Sequence, residues 1–168
     1  MEFDVIQGDI AAQSADVLVN AAGTSLRMGS GVAGALLRGA GEAINREAME
    51  KGPIDLGEVA ITDAYDLDAE YVVHAAAMPH YGDGQATAES IRDATRNTLE
   101  TADELEASSI VIPALGSGVA GFDLEEGARI ICTVIHEYEP ETLSDVRFIA
   151  YCDDEFETIS RVAEAVVR

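Results

Sequence analysis

The chain has 168 residues, an ordinary length for one domain and enough to bury a core without disulfide bonds. Its 32 acidic residues outnumber its 10 basic residues and give a formal net charge of −22, but 48% of the residues are hydrophobic, which excludes a disordered acidic tail. So much negative charge also argues against binding to nucleic acid, because the surface would repel the phosphates.

The composition further bears on the environment of the protein. The basic residues are nine arginines and one lysine, Lys51, and this bias together with the acidic surface predicts a halophilic source, where concentrated salt screens self-repulsion. The first ten residues lack the basic start and apolar run of a secretory signal, and no stretch is apolar enough to span a bilayer. We therefore expect a cytoplasmic protein with no membrane partner. We also expect it to be a monomer.

The apolar pattern alternates between short strand-like runs and longer helix-like runs, which predicts an α/β fold. The predicted strands are Phe3–Gln7, Val17–Asn20, Gly57–Asp63, Tyr71–Ala76, Ser109–Pro113 and Val146–Tyr151. The predicted helices are Val32–Glu50, Thr87–Leu105, Leu124–Tyr138 and Glu155–Val167, the third opened by Asp123 and Glu126 in the pattern of a capping box. These elements predict a single domain over residues 1–168, with one sheet covered by helices on both faces.

Two further features limit the chemistry. The segment Met78–Thr87 contains two glycines and a proline without periodicity, so we expect a loop that can cover a site. Cys132 and Cys152 are too far apart for a CxxC motif and lie in apolar stretches, so we expect two core residues and no metal or redox cofactor.

The hexapeptide GSGVAG occurs twice, at Gly29–Gly34 and at Gly116–Gly121. Each copy follows an apolar strand and lies close to a predicted helix. Glycine-rich turns of this kind let backbone N–H groups approach phosphate oxygens, and a helix N-terminus adds partial positive charge. The repeat therefore predicts two loops that hold a diphosphate from opposite sides, without requiring a cationic side chain.

Each copy also satisfies GxGxxG, so a dinucleotide-binding dehydrogenase is an alternative. That fold needs the glycines directly after the first strand and an acidic residue at the end of the second strand, about 20 positions on. Here the first copy follows the second predicted strand, and the region 20 residues further on is predicted to be helical. Two glycine turns without any ligand are the remaining alternative.

Five motifs in order along the chain resemble those of the macro domain family, the ADP-ribose-binding module. They are GDI at Gly8–Ile10, VNAAG at Val19–Gly23, GSGVAGALLRGAG at Gly29–Gly41, GEVAITDAYDLDAEYVVHAAAMP at Gly57–Pro79 and IVIPALGSGVAGFDLEEG at Ile110–Gly127. The resemblance implies a three-layer α/β/α sandwich with a mixed sheet of six or slightly more strands. It also implies binding of ADP-ribose, free or attached to protein, and the acidic composition then suggests a halophilic archaeon as source.

Carried over by motif, the resemblance assigns Asp9 to the adenine amino group and the Ile10 backbone to a ring nitrogen. The aromatic residue that stacks on adenine corresponds to Tyr151 or, in the other alignment of the last strand, to Cys152. Asn20 is kept from the family motif, where it binds the ligand or braces the loop. The two phosphate loops comprise Gly29, Ser30, Gly31 and Val32 in the first, and Gly116, Ser117, Gly118, Val119 and Ala120 in the second.

The chain departs from the hydrolytic members of the family at the positions that serve catalysis. According to this resemblance, those enzymes usually carry an Asn at the position of Gly23 and an Asp at the position of Ala33. Leu37 replaces a frequent His, and Ala120 replaces a frequent aromatic residue. General acid–base catalysis needs a titratable group within hydrogen-bond reach of the reacting proton, and neither loop supplies one. We therefore expect a binding module, with hydrolysis of ADP-ribosylated protein, O-acetyl-ADP-ribose or ADP-ribose 1″-phosphate as the alternative.

Overall fold

Six strands form one mixed sheet in the structure, a computed structural model that describes residues 1–80, 84–117 and 121–168. The strands are β1 (Asp4–Gln7), β2 (Val17–Gly23), β3 (Val59–Asp63), β4 (Tyr71–Met78), β5 (Ser109–Ile112) and β6 (Asp145–Ala150). Their order across the sheet is β1-β6-β5-β2-β4-β3, and all neighbours are parallel except β3, which is antiparallel to β4. The predicted mixed six-stranded sheet is confirmed.

Helices cover both faces of this sheet, as predicted. They are α1 (Gly31–Ala40), α2 (Glu42–Lys51), α3 (Ala88–Glu104), α4 (Leu124–Glu137) and α5 (Asp153–Val167). Because successive strand residues face opposite ways, Val17 and Val19 pack into the core beneath α3, α4 and α5, while Leu18 packs beneath α1. None of the helices in the described ranges combines the length and the apolar character needed to cross a membrane.

The predicted helix Val32–Glu50 is in fact two helices that meet at Gly41. This residue has a φ of 102°, a conformation that side chains disfavour, and its N–H donates to the Leu37 carbonyl at 2.8 Å to end α1. Both helices are apolar on the side facing the sheet, with Leu36 and Ile44 fully buried. The periodicity therefore continues across a break that only the backbone reveals.

Side-chain caps start two of the helices on the other face. The Thr87 hydroxyl accepts from the Ser90 N–H at 3.0 Å, and the Ser90 hydroxyl accepts from the Thr87 N–H at 2.9 Å, which completes a capping box for α3. The predicted cap of α4 is present in its first half, because Asp123 accepts from the Glu126 N–H at 3.0 Å. The predicted loop before α3 has neither helix nor strand at residues 79–80 and 84–87, and residues 81–83 lie outside the described ranges.

A buried carboxylate holds the segment between α4 and β6. Asp103, near the end of α3, accepts hydrogen bonds from the Tyr138 hydroxyl, from the Thr142 hydroxyl and from the N–H groups of residues 141–143. Burial alone would raise the pKa of the Asp103 carboxyl, but these hydrogen bonds to the charged form outweigh it and lower the pKa to about 2. The carboxylate therefore remains ionised and fixes the turn that leads into β6.

Candidate functional site

An open cavity of about 480 Å³ lies at the edge of the sheet where the parallel strands end. In open α/β folds this is the edge at which ligands bind. The end of β2 and the segments that follow β1, β5 and β6 all contribute to it. The predicted residues that line it are Asp9, Ile10, Ser30, Gly31, Val32, Gly116, Ser117 and Tyr151. Predicted residues Gly118, Val119 and Ala120 lie outside the described part of the chain.

The first glycine loop leads directly into α1. Ser30 is the N-cap residue in an extended conformation, and its side chain makes no capping hydrogen bond. Gly31 begins the helix with a φ of 62°, and a Cβ atom there would meet no other atom within 4 Å. The loop is therefore open toward the cavity, and the N–H groups of the first helical turn have no partners within the helix itself. Such a helix terminus attracts an anionic group.

The last glycine of the first hexapeptide has a packing role. A Cβ atom at Gly34 would lie 2.9 Å from the Gly29 carbonyl oxygen and 3.3 Å from Nη1 of Arg38. Only a glycine allows the loop to fold back so closely on the helix. Gly29, by contrast, does not line the cavity and has no atom within 4 Å of its Cβ position. The structure thus assigns Gly31 to the cavity and Gly34 to the closure of the loop.

The second glycine loop is anchored on α3. A Cβ atom at Gly116, which has a φ of 80°, would lie 2.7 Å from the Ile91 side chain and 2.9 Å from Cβ of Ala86. The neighbouring Ser117 lines the cavity, and its buried hydroxyl has no hydrogen-bond partner among the described residues. A buried polar group without a partner is costly, so a ligand that bonds to this hydroxyl would gain from it.

The turn after β1 forms the end of the cavity that the family motif assigns to adenine. Asp9 accepts from the Ala11 N–H at 2.9 Å with one carboxylate oxygen, as an aspartate in a tight turn often does. Ile10 is buried, and the Gly8 N–H donates to the Ala150 carbonyl at 2.9 Å, which fixes the turn beside the end of β6. Asp9 therefore caps the turn and lines the cavity at the same time.

Tyr151 stands at the same end of the cavity, directly after β6. Its side chain is 76% exposed, and its N–H donates to Oε1 of Glu155 at 3.1 Å, so its backbone is held by the first turn of α5. Cys152 is exposed and serves as the N-cap residue of α5, and it does not line the cavity. Of the two alternatives for the stacking position, the structure places Tyr151 at the cavity. The expectation that both cysteines are core residues is correct for Cys132 and wrong for Cys152.

Asn20 requires a correction, because its side chain is buried and does not line the cavity. Its amide nitrogen donates to Nδ1 of His74 at 3.0 Å, and Nε2 of the same ring lies 2.9 Å from the Thr62 hydroxyl. Burial lowers the pKa of His74 to about 4, so the ring is neutral at pH 7 and can accept from the amide. Asn20 therefore braces β2 against β4.

The two positions where the resemblance leads us to expect Asn and Asp in hydrolytic members of the family are tightly surrounded in this structure. A Cβ atom at Gly23 would lie 3.0 Å from the Pro79 carbonyl oxygen and 3.7 Å from the His80 Cα atom. Ala33 is buried against the apolar cluster beneath α1, and Leu37 packs on the same cluster. None of these residues lines the cavity.

Several residues of the cavity were not predicted. Ala35 and Arg38 follow Gly31 by four and seven positions, so they share one face of α1 with the loop glycine. That helical spacing is the signal that could have identified them. Glu155 and Met78 also line the cavity, at the start of α5 and at the end of β4. Within the described residues, no group of three or more histidine, cysteine, aspartate or glutamate side chains is placed to hold a metal ion.

Comparison with known proteins shows which family the chain resembles. The family model described as Macro domain matches residues 19–131. An uncharacterized protein of Saccharolobus solfataricus is 39% identical over 173 residues, covering 100% of this chain and 96% of the relative. A macro domain-containing protein of Caldanaerobacter subterraneus is 34% identical over 168 residues, covering 97% and 96%. An uncharacterized protein of Mycobacterium tuberculosis is 41% identical over 153 residues, but the matched region is only 42% of its length.

Solved structures show the same fold. A mutant of the Oceanobacillus iheyensis macrodomain with ADPR superposes with a TM-score of 0.87 at 25% identity, covering 97% of this chain and 92% of that one. The Trypanosoma brucei macrodomain in complex with ADP-ribose superposes with a TM-score of 0.82 at 28% identity, covering 94% and 67%. Motifs, sheet order and relatives agree, and the chain belongs to the macro domain family.

Proposed function

We propose that this domain binds ADP-ribose, free or attached to protein, in the cavity at the carboxyl edge of the sheet. The observation that carries the proposal is that Asp9 and Tyr151 line the same cavity as the open N-terminus of α1. This arrangement offers a site for the base and a site for the diphosphate within one concave surface. Related macrodomains with ADPR or ADP-ribose bound support the choice of ligand.

The chemistry of the lining residues matches the parts of this ligand. The exposed ring of Tyr151 can stack on adenine, and the carboxylate oxygen of Asp9 that is not used by Ala11 can accept from the adenine amino group. The diphosphate then meets the first turn of α1 and, across the cavity, the segment at Gly116 and Ser117. The apolar residues Ala21, Ala22 and Pro113 leave the remainder of the cavity without a competing charge.

Binding is favoured over hydrolysis, because the described lining contains no titratable group in or beside the first loop except Arg38. The carboxylates of the cavity, Asp9 and Glu155, lie at the end proposed for adenine rather than for the distal ribose. A general base must lie within hydrogen-bond reach of the proton that it removes. Gly23 also offers no side chain where the resemblance leads us to expect an asparagine in hydrolytic members, and a Cβ atom there would lie only 3.0 Å from the Pro79 carbonyl oxygen.

Calorimetric titration with ADP-ribose, ADP, AMP and NAD tests the proposal. We expect ADP-ribose to bind most tightly, and Asp9→Ala to weaken its binding while Cys152→Ala, a neighbour outside the cavity, leaves it unchanged. Absence of any heat or thermal stabilisation with ADP-ribose would contradict the proposal. Incubation with a protein carrying mono-ADP-ribose on acidic residues distinguishes binding from hydrolysis, since release above background would show an enzyme.

The domain organisation, cellular location and oligomeric state are also proposals. We infer that residues 1–168 act as one domain, because β1 and β6 from opposite ends of the chain are neighbours in the sheet. The free and exposed thiol of Cys152 is consistent with a reducing cytoplasm. The five ion pairs seen among the described residues engage few of the 32 carboxylates, which supports an acidic surface suited to concentrated salt. That the domain acts as a monomer is part of the same proposal.

A further inference from the structure

Arg38 brings a cation to a cavity that is otherwise acidic. Among the described lining residues the charged side chains are Arg38, Asp9 and Glu155. The chain as a whole carries a net charge of −22, so an anionic ligand approaches against a repulsive field. Among the described lining residues, the Arg38 guanidinium is therefore the side chain whose charge attracts an anionic ligand.

The position of this guanidinium is set by α1. Side chains of a helix lean toward its N-terminus, and Nη1 of Arg38 lies 3.3 Å from the point where a Cβ atom of Gly34 would be. The Gly29 carbonyl oxygen lies 2.9 Å from the same point. The guanidinium is thus folded back over the first turn of the helix and lies beside the first glycine loop, rather than at the far end of α1.

Nothing in the described structure engages this charge. The side chain of Arg38 is exposed and takes part in none of the five ion pairs among the described residues. Several other arginines are likewise outside these pairs, but Arg38 is the arginine among the described lining residues of the cavity. Its guanidinium also makes no hydrogen bond within the described residues. Its charge is therefore available to a ligand in the cavity.

We propose that Arg38 binds the diphosphate of the ligand, together with the backbone N–H groups at the start of α1. The inference rests on the proposed function and extends it, because it assigns a side chain to a site that backbone groups would otherwise hold alone. The planar fork of arginine matches two phosphate oxygens. The residue therefore selects nucleotides with a diphosphate over an uncharged nucleoside.

Three variants test this role with ADP-ribose in calorimetry and with adenosine in NMR titration. Arg38→Gln removes the charge, and Arg38→Lys keeps it without the fork. Arg46→Gln is the matched control, because it changes the net charge equally at an exposed position of α2 outside the cavity. Thermal unfolding of each variant confirms that it is folded.

We expect Arg38→Gln to weaken ADP-ribose binding by about tenfold, the low end for a charge-assisted contact at an exposed site. Arg46→Gln should change it less than about twofold, Arg38→Lys should recover part of the loss, and adenosine binding should be equal in all three variants. The loss should shrink as salt rises from about 0.1 M to 1 M, where the Debye length falls from about 10 to 3 Å.

Equal losses for Arg38→Gln and Arg46→Gln, with wild type still binding ADP-ribose, would overturn the role of Arg38 and leave the proposed function standing. An equally large loss of adenosine binding in Arg38→Gln would also overturn it, since the residue would then support the pocket rather than the phosphates. If the wild-type protein itself fails to bind ADP-ribose, both proposals fall together.

Discussion

Replacing Tyr151 with alanine tests the adenine end of the cavity. Tyr151 is 76% exposed in the free protein, and its backbone is held by the hydrogen bond from its N–H to Glu155. A base that covers one face of such a ring removes roughly 60 Å² of apolar surface from water, which at about 25 cal/mol per Å² gives about 1.5 kcal/mol. Base–aromatic stacking is worth about 1–3 kcal/mol, so the two values agree.

We therefore expect Tyr151→Ala to weaken ADP-ribose binding by about tenfold in calorimetry. Tyr151→Phe should bind as wild type does, because stacking needs the ring and not the hydroxyl. Cys152→Ala is the control, since it alters the next residue without touching the cavity lining. Tyr151 does not stack on the base if Tyr151→Ala binds as tightly as Cys152→Ala, or if Tyr151→Phe loses as much affinity as Tyr151→Ala.

Three further predictions concern stability and the second loop. The pKa of Asp103 is lowered from 3.8 to about 2, and above pH 4 this shift contributes about 2 kcal/mol to the free energy of unfolding. That contribution is lost as the pH falls toward 2. Asp103→Asn should therefore cost about that much in urea unfolding at pH 7, and an unchanged pH dependence below pH 4 would contradict the assignment. Gly116→Ala should lower the free energy of unfolding by about 1–3 kcal/mol and weaken ADP-ribose binding, because its Cβ atom would clash with Ile91; wild-type stability would show that the loop can shift. The melting temperature of the wild-type protein should rise between about 0.1 M and molar salt as carboxylate repulsion is screened, and a steady fall would argue against an acidic surface adapted to salt.

The architecture was predictable because strands of a buried parallel sheet have short, almost entirely apolar sequences. Stretches such as Val17–Asn20 and Tyr71–Ala76 face helices on both sides, so nearly every side chain in them is apolar. The division of the first long helix was not predictable in the same way. Leu36 and Ile44 keep the helical period through Gly41, and a single glycine inside such a pattern is tolerated in many helices.

The lining residues of the cavity were predictable where they belong to a sequence motif. They were not predictable where helix packing brings them to the cavity. The glycine loops and Asp9 belong to local turns whose conformation their own residues specify. Arg38 reaches the cavity only because α1 lies along it with one face, and that orientation is set by burial of Leu36 on the opposite side. The bracing contact of Asn20 was not predictable, because the motif says nothing about its partner His74, which lies 54 residues further along the chain.

The Pro79 carbonyl oxygen lies close to the point where a Cβ atom of Gly23 would be, and this limits which residues fit at position 23. A side chain in place of Gly23 would bring its Cβ atom to 3.0 Å from that oxygen, so the backbone at residue 79 would have to shift by a few tenths of an ångström to admit it. The residue at position 23 and the course of the segment after β4 are therefore coupled, because a larger side chain at the first requires a small displacement of the second.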